Sequence, residues 1–309
     1  MVDPRTVDPV IACEEITPVD RARYFDSSNA FNMKYSPVPC HQFVEQRQAA
    51  FDSSTGTTMI PLDLRQTLEL DYAATTPLIL ARYLRLRAGE SLSTRFMATG
   101  EIYYVCQGAG HSLNGPDQVT WYTGDIFFLP GGRKSTHTAG DENCVLWSIT
   151  NEPELAFQGV VPADQAEHAA VHYPAAEIQH RLLKVQEKLI GSLTPGLAVV
   201  FSSDAREKTR RIMPSLHLAM NSLPPGVSQA VHRHNAVAVT MPIDGDGCYS
   251  IIAGKRVDWQ RHTVMITPPA DDHAHYNPGS RQATFLIVQD GGLYYHCRTM
   301  GFTYTDTPD

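Results

Sequence analysis

The 309-residue chain contains no Cys-x-x-Cys pair. Its six cysteines, Cys13, Cys40, Cys106, Cys144, Cys248 and Cys297, stand far apart. That argues against thiolate zinc motifs and against a redox-active cysteine pair. No apolar run nears the roughly 20 residues that span a bilayer. The opening residues, MVDPRTVDPV, have neither the basic stretch nor the apolar core of a secretion signal. The expected setting is therefore the cytoplasm, with reduced thiols packed as small apolar groups. Positive charge is scarce as well: 25 Lys and Arg face 33 Asp and Glu, a net charge of −8. Nucleic acid and anionic membrane both need a basic face, so neither is an expected partner.

What the chain has instead is short apolar segments. They are rich in Val, Ile, Leu, Phe and Tyr, and glycine, proline and asparagine punctuate them. The spacing predicts strands at LILARYLRL (78–86), EIYYVCQG (101–108), DIFFLPGG (125–132) and CVLWSIT (144–150). A second set runs SLHLAMNSL (215–223), AVAVTMPI (236–243), CYSIIAG (248–254), TVMITPP (263–269) and TFLIVQD (284–290). LNGPD (113–117) predicts a tight turn. Between the sets, residues 162–190 are rich in Ala, Glu, Gln, Lys and Leu, and Ile178, Leu182, Val185 and Leu189 recur at helical spacing. Pro174 suits the first turn of such a helix and Gly191 its end.

The two strand sets share landmarks. Gly89 and Gly226, then Gly108 and Gly245, then Pro130 and Pro268 are separated by 137, 137 and 138 residues. A constant offset in unlike surroundings predicts one β module used twice. The expected organisation is an N-terminal extension over 1–60 that could pack on a partner subunit, a first barrel over 61–155, a helical connector over 156–200 and a second barrel over 201–309.

In the second module, Gly226 is followed after five residues by His232-Arg233-His234, and Gly245 stands further on. Pro268 leads to His273, and after three intervening residues comes Asn277. These spacings resemble the two motifs of the cupin family. The resemblance implies an all-β chain of two jelly-roll barrels joined by a helical connector. It also implies a metal site in the second barrel. Residues i and i+2 of a strand face the same way, so His232 and His234 point inward together, and His273 would complete three imidazole ligands. The alternative is a set of buried histidines satisfied by backbone. The first module carries Arg95, Met97 and Ser135 at the three histidine positions and keeps only Glu101 at the family's glutamate position. It is therefore expected to bind no metal, since Arg cannot deprotonate to ligate. In the second module the glutamate position is Ala238. Asp272, in the loop before His273, is a lesser ligand candidate.

Among two-barrel cupins the chain is similar to the gentisate and salicylate 1,2-dioxygenases, through LPPGVSQAVHRHNAVAV (223–239) and TPPADDHAHYNPG (267–279). That similarity implies a non-haem iron(II) enzyme, a homodimer or homotetramer, that uses O2 to cleave a ring or C–C bond in a small phenolic, hydroxy-acid or enolic substrate. His275, two places after the third ligand, is the implied catalytic residue for hydrogen bonding or proton transfer. His217 and Asn221, sharing one face of their strand, are the implied substrate contacts. Thr240, eight residues past His232, stands where the family carries an arginine and is the third. Two alternatives stay open: a lyase, hydrolase or isomerase using manganese or zinc as Lewis acid, and a non-catalytic small-molecule binder.

Overall fold

The computed structural model describes residues 16–163, 169–189 and 196–305. The described residues up to Tyr35 form a unit of their own, a run of turns in which the Thr17 hydroxyl donates to Asp20 at 2.6 Å. From Ser36 onward the chain is one body.

That body opens with helix α1 (Val44–Phe51) and strand β1 (Thr58–Pro61). The N-terminal barrel continues with β2 (Leu80–Leu86), β3 (Ser91–Thr94), β4 (Gly100–Gln107), β5 (Ala109–Asn114), β6 (Asp117–Tyr122), β7 (Ile126–Pro130), β8 (Ser135–Ala139) and β9 (Cys144–Thr150). Helix α2 (Glu152–Gln158), β10 (Val171–Tyr173) and α3 (Ala175–Leu189) lead across to the second barrel. Its strands are β11 (Leu197–Val200), β12 (His217–Leu223), β13 (His232–His234), β14 (Ala238–Asp244), β15 (Tyr249–Ile252), β16 (Lys255–Asp258), β17 (Met265–Thr267), β18 (His273–Tyr276), β19 (Ala283–Gln289) and β20 (Phe302–Tyr304), with α4 (Gly291–Cys297) before the last.

The internal repeat is visible in the strand order. The run β2-β9-β4-β7 in one barrel returns as β12-β19-β14-β17 in the other, and β3-β8-β5-β6 returns as β13-β18-β15-β16. Each barrel is thus two antiparallel sheets, the jelly-roll arrangement, and the all-β fold with a helical connector follows. The turn at Gly115 and Pro116 joins β5 to β6 with Asn114 opposite Asp117, and Gly115 takes a left-handed φ of 59° there.

Several strands read as continuous apolar runs because both of their faces are buried. On β4, Tyr103 and Val105 pack inside the N-terminal barrel with Trp121, Phe127 and Leu129. Their neighbours Ile102 and Tyr104 face a larger cluster shared by both barrels, with Trp147, Met241, Leu286 and Val288. Ile178 and Leu182 of α3 complete that shared core. The connector helix starts directly after Pro174, where the proline was expected in its first turn, while residues 171–173 add an unexpected strand to β7. Proline favours a first turn and disfavours helix before it, which places the boundary. Gly191 lies outside the described residues.

The stretch 36–61 runs along both barrels. His41 and Phe43 exchange backbone hydrogen bonds with Ile266 and Val264 at 2.9 Å each, while β1 pairs with β2.

Candidate metal centre

β13 is three residues long, and its alternation decides the site: His232 and His234 are buried and Arg233 between them is exposed. β18 pairs beside it with His273 opposite His232. Three imidazoles therefore meet. Ring centroids are 4.3 Å apart for His232 and His273, 4.8 Å for His234 and His273, and 5.9 Å for His232 and His234. One ligand-capable nitrogen from each ring lies within 4.8 Å of the others.

The other nitrogen of each ring is already committed. Nδ1 of His232 donates to the Ala230 carbonyl, Nδ1 of His234 to the Ala236 carbonyl and Nδ1 of His273 to the Asp271 carbonyl, each at 2.8 Å. A carbonyl can only accept, so each ring carries its proton on Nδ1 and an acceptor lone pair on Nε2, which in His234 faces the Gln289 amide at 3.1 Å. Burial lowers the pKa of all three, and for His273 the neighbouring His232 adds to the effect. The rings are neutral at neutral pH, the state in which imidazole ligates.

These nitrogens open into a cavity of about 960 Å³ in the C-terminal barrel. His217, Ala219 and Asn221 of β12 line it, while Leu216, Leu218 and Met220 pack into the shared core. Thr240 lines it from β14, and its Oγ1 is buried without a partner. The same holds for Thr267 Oγ1, His217 Nε2, Gln229 Oε1 and Arg211 Nε. Five lining side chains thus hold unspent hydrogen-bonding capacity, which buried polar atoms rarely do unless a ligand or water meets them. Among the described residues no Asp or Glu lines the cavity, whereas Lys208, Arg210 and Arg211 do. Asp272 is exposed and lies 3.9 Å from Arg233, away from the cavity lining. A second, shallower cleft of about 820 Å³ shares Val200 and Arg210 with the cavity but holds none of the three imidazoles.

His275 also lines the cavity. Its Nδ1 is 2.7 Å from the Ser250 hydroxyl, which accepts a hydrogen bond from Trp259 Nε1 at 2.8 Å. Its ring packs edge-on against Phe285 at 4.8 Å. That leaves Nε2 as the nitrogen available to the cavity. Burial pushes the His275 pKa down to about 3.

In the N-terminal barrel the corresponding positions do other work. Arg95 donates to the Gly132 carbonyl at 3.1 Å, Met97 is exposed, and Ser135 donates to Glu101 at 3.0 Å. Sequence reasoning missed Ser250, Trp259, Gln229, Thr267, Gln289 and the cations at 208–211. Each was legible only as a strand or loop residue until the fold placed it on the cavity or, for Ser250 and Trp259, behind His275.

No protein-family model matches the chain. A segment of 129 residues is 31% identical to a 5-aminosalicylate 1,2-dioxygenase of Comamonas sp, covering 40% of this chain and 34% of that protein. A segment of 82 residues is 32% identical to a gentisate 1,2-dioxygenase of Ralstonia sp, covering 26% and 23%. The matched segments thus span about a third or less of these relatives' length. A salicylate 1,2-dioxygenase of Pseudoaminobacter salicylatoxidans superposes with a TM-score of 0.73 at 14% identity, over 95% of both chains. The same enzyme as its gentisate adduct gives 0.72 at 14%, over 89% of this chain and 87% of that one. By fold, the chain is a bicupin. The bicupin resembles the gentisate-type dioxygenases in both sequence and architecture.

Proposed function

We propose that this bicupin is a non-haem iron(II) dioxygenase that cleaves a ring or C–C bond in a small anionic phenolic, hydroxy-acid or enolic substrate. The observation that carries the reading is the set of three Nδ1 hydrogen bonds, which leave Nε2 as the ligand-capable nitrogen of each ring, with the three ligand atoms within 4.8 Å of one another. Backbone satisfaction of buried histidines would need only one nitrogen each; the convergence of the second nitrogens is what a cation requires. His232, His234 and His273 would hold the ion. When bound, ferrous iron supplies a redox-active Lewis-acidic centre at which substrate and dioxygen are brought together.

The chain's own groups divide the remaining work. Neutral ligands and three lining cations make the cavity electropositive, which favours an anionic substrate. His217, Asn221 and Thr240 present polar atoms to it. His275, held by Ser250, would receive or return a proton at Nε2. Ala219, Ile287, Met300 and Phe302 supply apolar wall that excludes water. The curated relatives and the salicylate 1,2-dioxygenase that superposes on the chain bear dioxygenase names, which supports oxygen chemistry over the alternative of manganese or zinc as Lewis acid.

The reading includes a cytoplasmic setting, supported by the free thiols of Cys40, Cys106, Cys144, Cys248 and Cys297, and assembly as a homodimer or homotetramer, which light scattering tests. Among the described residues no helix is long and apolar enough to cross a membrane. The deciding experiment is oxygen uptake by anaerobically iron-loaded protein on a panel of phenolic acids and enolic diketones, together with elemental analysis of protein purified without added metal. Uptake with bound iron supports the proposal; tight manganese or zinc and no uptake on any substrate defeats it.

A further inference from the structure

The two barrels allow an internal comparison of what faces the centre. In the N-terminal barrel, Glu101 on β4 lies opposite Thr150 on β9. At the equivalent place in the C-terminal barrel, Ala238 on β14 lies opposite Gln289 on β19. A long polar side chain and a short one have changed places across the strand pair. Directly opposed residues on antiparallel neighbours project to the same face with Cβ atoms about 5 Å apart. Gln289 therefore reaches into the space that a longer side chain at position 238 would fill. It lines the cavity, and its amide nitrogen is 3.1 Å from Nε2 of His234. Because Nδ1 of His234 donates to the Ala236 carbonyl, Nε2 can only accept, and the amide N–H is the donor.

We infer that Gln289 faces the metal: with an ion on His234, its amide oxygen turns toward the cation, in the place of the carboxylate that Ala238 cannot supply. The inference rests on the metal reading above. The lone pair of Nε2 that accepts the amide N–H is the one a cation would use. Once it is taken, an N–H dipole aimed at the ion is repelled. The amide oxygen and nitrogen are nearly interchangeable in shape, so a half-turn about the terminal bond puts an acceptor where the donor was. A neutral amide, unlike the family's glutamate, leaves the full double charge of the ion to attract an anionic substrate.

The test uses metal-free full-length protein titrated anaerobically with cobalt(II) against a chromophoric chelator, reading the dissociation constant and the visible cobalt absorption. Gln289→Glu should bind cobalt about tenfold or more tightly, Gln289→Leu about tenfold or more weakly, and both should shift the cobalt bands. Affinities within about twofold of wild type for both, with unaltered bands, would overturn the inference while the metal reading stood. If Gln289→Leu fails to fold, Gln289→Glu alone decides on the same criterion. Folded wild type that binds no cobalt removes the metal reading itself, and this inference with it.

Discussion

His137 and His275 hold the same position in the two barrels and the same pair of partners. His137 Nδ1 is 2.8 Å from the Ser112 hydroxyl, which accepts from Trp121 Nε1 at 2.8 Å. His275 Nδ1 is 2.7 Å from Ser250, which accepts from Trp259 Nε1 at 2.8 Å. All three residues are offset by 138 positions. The indole, hydroxyl and imidazole brace each barrel from within. The far side of the ring differs. Nε2 of His137 is closed off by Tyr103 Oη at 3.2 Å and Thr94 Oγ1 at 3.5 Å, whereas His275 borders the cavity. One sequence position thus serves packing in one barrel and is available to chemistry in the other.

Ser250→Ala and Ser112→Ala should therefore cost similar stability and differ in activity. Each leaves a buried indole N–H and an imidazole nitrogen without a partner, a loss of about 1–3 kcal/mol that urea unfolding would read. Only Ser250→Ala should lower turnover, because only His275 has a free nitrogen to aim. Equal activity losses in the two variants would show that the brace matters through stability alone.

Removing an imidazole from the converged set should abolish tight metal binding. His232→Ala or His273→Ala should lower metal content about tenfold or more, since two neutral ligands hold a divalent ion poorly. Chelation should lower the melting temperature of wild type and leave that of the variants unchanged, because only a ligand bound to the folded state adds to its stability. Elemental analysis and thermal unfolding check this; full metal content in both variants would contradict the site.

The fold was legible because its signals are local: β9 runs from Cys144 to Thr150 as its apolar run suggested, and the repeat offset foreshadowed the doubled strand order. The histidine set was legible because His232 and His234 are two apart and strands alternate. Other features depend on long-range pairing. Gln289 matters through its register with Ala238, and Ser250 through its register with His275; neither adjacency leaves a trace in nearby sequence. The short helices α2 and α4 were missed because each spans about two turns, too few for periodicity to declare itself.

The contribution of two buried carboxyls to stability should fall as pH rises through the neutral range. Burial raises the Glu101 pKa from 4.5 to about 8, against the opposing hydrogen bonds from Tyr103 and Ser135. Burial likewise pushes Asp290 up to about 7. The unfolded chain releases these protons near the ordinary carboxylate range, and the folded chain holds them until the raised values. Between those limits these two carboxyls hold more protons in the folded state, so their contribution to stability declines with pH and levels off above about 8. Glu101→Gln removes the larger contribution: it should be near neutral at pH 5 and stabilising by a few kcal/mol, on the order of 1.4 per pKa unit, at pH 9. Unfolding curves for both proteins at the two pH values decide it, and an equal effect at pH 5 and pH 9 would refute the assignment.

Arg211 should govern affinity for anionic substrates. Its Nη1 donates to the carbonyls of Pro214 and Gly292 at 2.9 Å each, which fixes the guanidinium, while its buried Nε has no partner. Burial and, next to it, the charge of Arg211 lower the pKa of the neighbouring His217 to about 4. Position 240 holds Thr where the gentisate-type relatives carry an arginine, so under the proposed function the cationic partner for a substrate carboxylate would come from the loop before β12. A charge-assisted hydrogen bond contributes about 1.5–3 kcal/mol, so Arg211→Gln should raise KM for an acidic substrate by roughly ten- to hundredfold with a smaller change in kcat. A neutral analogue lacking the carboxylate should bind both proteins alike, and the wild-type preference for the acid should weaken with added salt. Steady-state kinetics on the acid and its neutral analogue separate the outcomes: the same KM increase for both would mean that Arg211 shapes the cavity without reading charge.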